Sequence, residues 1–386
     1  MSLPVRTAAV AQSTHSDARE AVREVHAALK ASEGALVLFF CSSHFDLESL
    51  ADEIGHCFEG TEVIGCTTAG EIGPAGYLDH SLVAAVLPRA SFTAVTGRLD
   101  NLRDFTIARG QACALDALHD LEGRAPEADS TNTFALLLID GLSVREEPVT
   151  RTLQSALGDI PLVGGSAGDD LKFEQTRIFH DGRFHRDCAV LVLGSTPLPF
   201  RIFKTQHFRS GDERLVVTGA NAELRTVSEI NGLPAAAEYA RLIGARVEDL
   251  CPGHFAAAPV VVLIDGTDYV RSIQKLNADG SLTFYCAIEE GLVLRVARGL
   301  DLTENLRTMF SGLRSELGEP QLVLAWDCIL RHLEMVQQGT RDVAGRLFQD
   351  NRSVGFSTYG EQYGGVHVNQ TLTGIAFGGG GEVERA

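Results

Sequence analysis

Three times along this chain an apolar run, a helix-patterned stretch, a glycine-lined turn and a second apolar run follow in the same order. The first copy has its apolar run at 35–41, its helix at 46–58, its turn within 62–71 and its closing run at 81–87. The second uses 134–140, 146–157, 161–169 and 188–194. The third uses 321–328, a helix from about Leu330, a turn within 354–361 and a closing run at 371–377. From the start of the first run to the turn is 30 residues in copies one and two, 35 to 65 and 134 to 164. It is about 34 in copy three, 321 to 355. Self-similarity in fixed order points to duplication of one βαβ-type unit. Unbroken apolar runs of this length read as strands covered on both faces. The expectation is an α/β protein whose sheets are covered by helices in αββα-like layers.

The rest of the chain sits around these copies. Residues 17–31 read as an amphipathic helix capped by Asp17, with Ala18, Val22, Val25 and Leu29 on one face. A different pattern fills 201–250. Residues 208–219 and 226–230 alternate like strands, Asn231-Gly232 is a turn, and Pro234 opens a helix. A fourth apolar run at 258–266 lacks the glycine turn, and 269–297 reads as antiparallel strands with a hairpin at Asp279-Gly280. At 386 residues the chain exceeds what one core usually organises. The prolines at 197 and 199 mark a boundary, giving domains 1–199 and 200–386.

Charge excludes some partners. The net charge of −18 repels a phosphate backbone, so nucleic acid is not expected. No apolar run reaches the roughly 18 residues of a membrane span, and residues 1–17 lack the apolar core of a secretory signal. The expected location is the cytoplasm. Eight cysteines lie singly with no CxxC pair, which argues against a disulfide framework or a structural zinc site.

The stretch 355–377, GFSTYGEQYGGVHVNQTLTGIAF, concentrates candidate chemistry. It holds Tyr359, Glu361, Tyr363, His367 and Asn369 among five glycines, a combination suited to a ligand-lining loop. In α/β sheets ligands gather at the carboxyl ends of strands, and the third copy places Asp327, Cys328 and Arg331 there. The glycine turns could offer N–H groups to an anion, but neither GxxxxGK[ST] nor GxGxxG is present. Cys66 and Ser166 are conceivable nucleophiles, yet no base can be assigned and no GxSxG elbow occurs, so an enzyme is not expected. No HExxH or HxH occurs among the twelve histidines. A haem needs a single axial imidazole. His367 leads by its place in the glycine-aromatic loop, followed by His207 and His254.

The chain resembles FIST proteins through VIGCTTAGEI at 63–72, VGGSAGDD at 163–170, EINGLPAAAEYA at 229–240, GFSTYGEQ from 355 and HVNQT to 371. The stretch 269–294 is similar to the nitric-oxide-sensing NosP members. The resemblance implies FIST N-like and FIST C-like domains and a haem-binding sensor of nitric oxide. Such a sensor signals through a histidine kinase, or through a diguanylate cyclase or phosphodiesterase acting on cyclic-di-GMP, in control of biofilm behaviour. A homodimer is compatible with it. The candidate cofactor-binding set is His367, His207, His254, Tyr359, Glu361, Asn369, Cys328 and Arg331, with His367 as the metal ligand. A rival implication is a haem-free FIST-type sensor of an amino acid or small anion, using the glycine turns with Arg331 or Arg271. A thiol-dependent hydrolase built on Cys66 is a second alternative.

Overall fold

The computed structural model describes residues 8–29, 34–264 and 266–379. The start of the chain at 1–7, positions 30–31 of the expected first helix, and Asp265 in the fourth apolar run lie outside them.

Each copy folds as its order requires. In the first, Gly34–Ser42 runs parallel to Val63–Thr68, with helix Leu47–Cys57 between them, and Leu82–Pro88 closes antiparallel on the other side. In the second, Thr133–Ile139 is parallel to Leu162–Ser166 through helix Glu146–Leu157, and Cys188–Ser195 closes. In the third, Pro320–Cys328 is parallel to Ser353–Thr358, and Leu372–Gly378 closes. Here two helices, Ile329–Gln338 and Arg341–Asp350, make the crossover, which accounts for its longer spacing.

The turn glycines are required by close approach. Gly65, Gly164 and Gly355 lie opposite Phe39, Leu137 and Ala325 in the parallel registers. A Cβ at any of the three would drive into that partner's carbonyl oxygen.

After its turn each copy sends a short hairpin into another copy's sheet. The first hairpin, Glu71–Gly73 with Gly76–Leu78, pairs with Ser353–Thr358 of the third copy. The second, Ile178–His180 with Arg183–His185, pairs with Val63–Thr68 of the first. The third, Glu361–Tyr363 with Val366–Val368, pairs with Leu162–Ser166 of the second. The exchange is cyclic and yields three six-stranded sheets.

The inner faces of all three sheets share one core, in which Phe40 and Ile64 meet Leu136 and Val163, and Trp326 and Phe356. Helices cover the outer faces: Ala18–Leu29 and Leu47–Cys57 on the first, Ile107–Arg124 and Glu146–Leu157 on the second, Leu302–Leu317 and Arg341–Asp350 on the third. Asp17 caps the first helix by accepting from the Glu20 N–H. The sequence pattern did not reveal Ile107–Arg124, because its buried stripe is Gly110, Ala114, Ala117 and Leu121, mostly small residues.

Between the second and third copies lies an antiparallel eight-stranded sheet. Its strands include Phe208–Asn221, Thr226–Ile230 and the hairpin Ile273–Leu276 with Leu282–Phe284, and helix Ala235–Ile243 follows the Asn231-Gly232 turn. Strand Phe200–Thr205 precedes this sheet and pairs with Leu372–Gly378. Among the described residues no helix is long and apolar enough to cross a membrane.

Candidate functional site

The three glycine turns meet at the carboxyl ends of the parallel strands. Ala69 N–H donates to Ser357 O at 3.1 Å, Ser357 N–H to Gly70 O at 2.8 Å, Gly168 N–H to Thr67 O at 3.0 Å and Ser166 N–H to Gly360 O at 2.8 Å. Two turns carry the same buried device. Glu71 accepts from the Thr68 hydroxyl and from Ser81 N–H and Oγ at 3.0 and 2.6 Å. Glu361 accepts from the Thr358 hydroxyl and from Thr371 N–H and Oγ1 at 3.2 and 2.6 Å. Asp170 stands at the matching position of the second turn.

Burial pushes both glutamates up to about 8, despite these hydrogen bonds. A carboxyl raised this way binds its proton in the folded chain after the unfolded chain has released it. The stabilisation is therefore complete below pH 4.5 and is lost as pH rises towards 8. Unfolding free energies from urea denaturation across that window should fall by on the order of a few kcal/mol from these two groups. An E71Q/E361Q variant should flatten that limb; an unchanged slope would remove the assignment.

The third hairpin carries a cluster of buried polar side chains. His367 is buried, and its Nδ1 lies 3.2 Å from Gln362 Nε2, which also donates to Ser166 Oγ at 2.9 Å. Nδ1 is thus the acceptor and Nε2 carries the proton. That Nε2 has no hydrogen-bond partner, and neither have Asn369 Nδ2, Asn369 Oδ1 or Gln362 Oε1. The cluster packs directly on Gly360: a Cβ there would stand 2.2 Å from His367 Cε1, 2.7 Å from His367 Nε2 and 3.1 Å from Asn369 Nδ2. The Tyr285 carbonyl faces the imidazole and also accepts from Arg225 Nη1 at 2.6 Å. Arg225 Nη2 bridges Glu146 at 2.6 Å and Glu147 at 2.7 Å, and Glu147 also accepts from Ala287 N–H at 2.9 Å. Arg271 Nη1 reaches the His367 carbonyl at 3.4 Å. Burial holds the imidazole down to about 4, so it is neutral at physiological pH. A cleft of about 360 Å³ adjoins the cluster through Arg225 and Tyr285, and is lined also by Leu142, Phe173 and Tyr359 among others. Phe173 stacks on Tyr359 at 4.6 Å, and the Tyr359 hydroxyl donates to Asp169 at 2.5 Å.

The other sequence candidates divide. His367 and Asn369 cluster here, Tyr359 lines the adjoining cleft, and Glu361 lies buried in the same hairpin, bonded to Thr358 and Thr371. His207 and Arg331 belong to a separate buried network. Arg331 Nε donates to Asp327 at 2.7 Å and its Nη1 to His207 Nδ1 at 2.9 Å, so His207 Nε2–H donates to Glu334 at 2.9 Å. Both His207 nitrogens are occupied. His254 is half-buried, with Nδ1 3.2 Å from the exposed Cys251 thiol. Burial pushes the Cys328 and Cys66 thiols well up, the reverse of an activated nucleophile. Sequence reasoning missed Arg225, Glu146, Glu147 and Gln362 as site residues. Gln362 was within reach, inside the loop already singled out; nothing local marks Arg225, which arrives from a sheet 140 residues away from that loop, roughly judged by position.

Three copies of one α/β unit thus bring their glycine turns together beside a set of buried polar atoms without partners. Residues 35–233 match the FIST N domain and residues 235–364 the FIST C domain, and the chain belongs to the FIST family, whose domains are sensory domains of signalling proteins. It is also similar to the uncharacterized protein MJ1623 of Methanocaldococcus jannaschii, 21% identical over 371 residues, covering 84% of this chain and 71% of that protein.

Proposed function

We propose that the buried polar cluster at Gly360, entered from the adjoining cleft, binds a small polar, amino-acid-like ligand and that the protein is its sensor. The carrying observation is that His367 Nε2 and Asn369 Nδ2 both face Gly360, and that these two atoms and Asn369 Oδ1 are buried without hydrogen-bond partners. Leaving such groups bare costs about 1–3 kcal/mol each, which a ligand with matching groups would recover. The N–H of His367 and the guanidinium of Arg271 suit a carboxylate. The Asn369 carbonyl and the Glu146–Glu147 pair suit an ammonium. Occupancy would couple the third hairpin, the second copy's helix Glu146–Leu157 and the eight-stranded sheet, since each contributes to the walls. Signal output would pass to a separate histidine kinase or cyclic-di-GMP enzyme, the partners implied by the resemblance.

Haem sensing of nitric oxide is the narrower reading. His367 is, among the described residues, the only histidine with a buried ring nitrogen lacking a partner, which favours it over His207 and His254. Its surroundings do not fit a macrocycle: Nε2 faces Gly360 and Asn369 at close range.

Thermal-shift screening with the common amino acids tests the proposal. A true ligand at 100-fold its Kd should add about 2.7 kcal/mol, and Asn369→Ala and Gly360→Ala should abolish the shift. A shift that survives both variants, or none with any amino acid, defeats the reading. An absorption spectrum after haem addition separates the narrower case: a Soret band lost in His367→Ala would favour haem instead.

A further inference from the structure

We propose that His44, His80 and Asp170 form a site for a divalent transition-metal ion of the zinc type, independent of the polar cluster at Gly360. One ring nitrogen of each histidine and a carboxylate oxygen of Asp170 all lie within 4.8 Å of one another. The two imidazoles stand edge to face with centroids 4.1 Å apart, and His44 Nδ1 is 3.2 Å from Asp170 Oδ2. Tetrahedral coordination at ordinary zinc–nitrogen lengths sets donor atoms about 3.3 Å apart, so the side chains need to close by about 1.5 Å at most. They are free to do so: the His44 side chain is 49% exposed and His80 is exposed.

Asp170 is the fixed member, its side chain only 12% exposed. Ser42 Oγ at 3.0 Å, Ser43 N–H at 2.9 Å and Ser43 Oγ at 2.6 Å all donate to its Oδ2. Such outer contacts orient a ligating carboxylate. They also leave Oδ1 for a cation. Lys172 Nζ is close, but it donates to Ser43 Oγ at 3.0 Å rather than to the carboxylate. Two imidazoles and one carboxylate select a zinc-, nickel- or copper-type ion over calcium or magnesium, which prefer all-oxygen sets. The site is also open. His80 and Asp170 form part of the wall of a cleft of about 550 Å³, together with His332 and Arg341. Three protein ligands with a free position facing such a cleft is the arrangement in which a metal holds a water or an anion.

The test is calorimetric titration of the intact, chelator-stripped chain with zinc chloride, with cobalt(II) absorption as the probe of coordination. One ion per chain is expected, with the visible bands of tetrahedral cobalt and imidazole ligation. His44→Ala and His80→Ala should each weaken binding by at least ~10-fold, and Ser43→Ala by about the same factor through loss of orientation. His119→Ala, on the exposed side of helix Ile107–Arg124, should change nothing. Circular-dichroism melts check that the variants keep the fold. Absence of stoichiometric binding, or binding that persists in the H44A/H80A variant, overturns the proposal.

Discussion

Gly355→Ala should be among the most damaging methyl additions in this protein, lowering stability by more than about 3 kcal/mol. In the parallel register Gly355 faces Ala325, and a Cβ there would overlap the Ala325 carbonyl oxygen more deeply than the same change at Gly65 or Gly164 would overlap its partner. The obstacle is backbone on the central strand of the third sheet, so no rotamer change relieves it. Against a typical total stability of 5–15 kcal/mol, a loss of this size is a large fraction. Urea denaturation reads it directly. Gly312→Ala is the control, because that helical position has open space around it and should gain about 0.5–1 kcal/mol. Equal midpoints for the two variants would refute the close-approach argument.

Arg331→Met should cost ~3–5 kcal/mol, for a different reason. Arg331 and Asp327 are both 0% exposed, and their ion pair is 2.7 Å long. Tyr77 also donates to Asp327, at 2.5 Å, and His207 links Arg331 to Glu334. Removing the guanidinium leaves the Asp327 charge buried with one hydroxyl as its partner. The expected signature lies in a double-mutant cycle: D327L/R331M should recover much of the loss, since removing both charges spares the desolvation of either. A double variant as unstable as the sum of the singles would show that packing, not charge, governs this network.

These two cases also show what the chain reveals of itself. Gly355 was legible: it recurs at the same place in each copy, and the repeat showed the strands of all three units and their crossover helices except the third copy's second helix, Arg341–Asp350. The Tyr77–Asp327 contact was not, because it joins residues 250 positions apart through a hairpin that leaves its own copy. No local periodicity encodes which sheet a three-residue strand will join. The candidate site divided along the same line. His367 and Asn369 stood out within a glycine-rich loop, and the structure brings them together. Arg225 and the Glu146–Glu147 pair come from elements that look ordinary alone, and only the tertiary arrangement turns them towards the imidazole. The haem candidates His207 and Arg331 shared a reasonable sequence setting, but their polar atoms are mostly spent on each other.

The cyclic exchange of hairpins has a consequence for how the chain is made. The hairpin at 71–78 leaves the ribosome long before its acceptor strand, Ser353–Thr358, has been synthesised. At ordinary rates of translation that wait is roughly 15–60 s. During it the nascent first and second copies hold an unclaimed hairpin and an open edge at Leu162–Ser166, which only the third copy can cover. The last stretch to emerge therefore locks all three units at once, and a product cut short after the FIST N match carries a bare strand edge ready to pair with its neighbours.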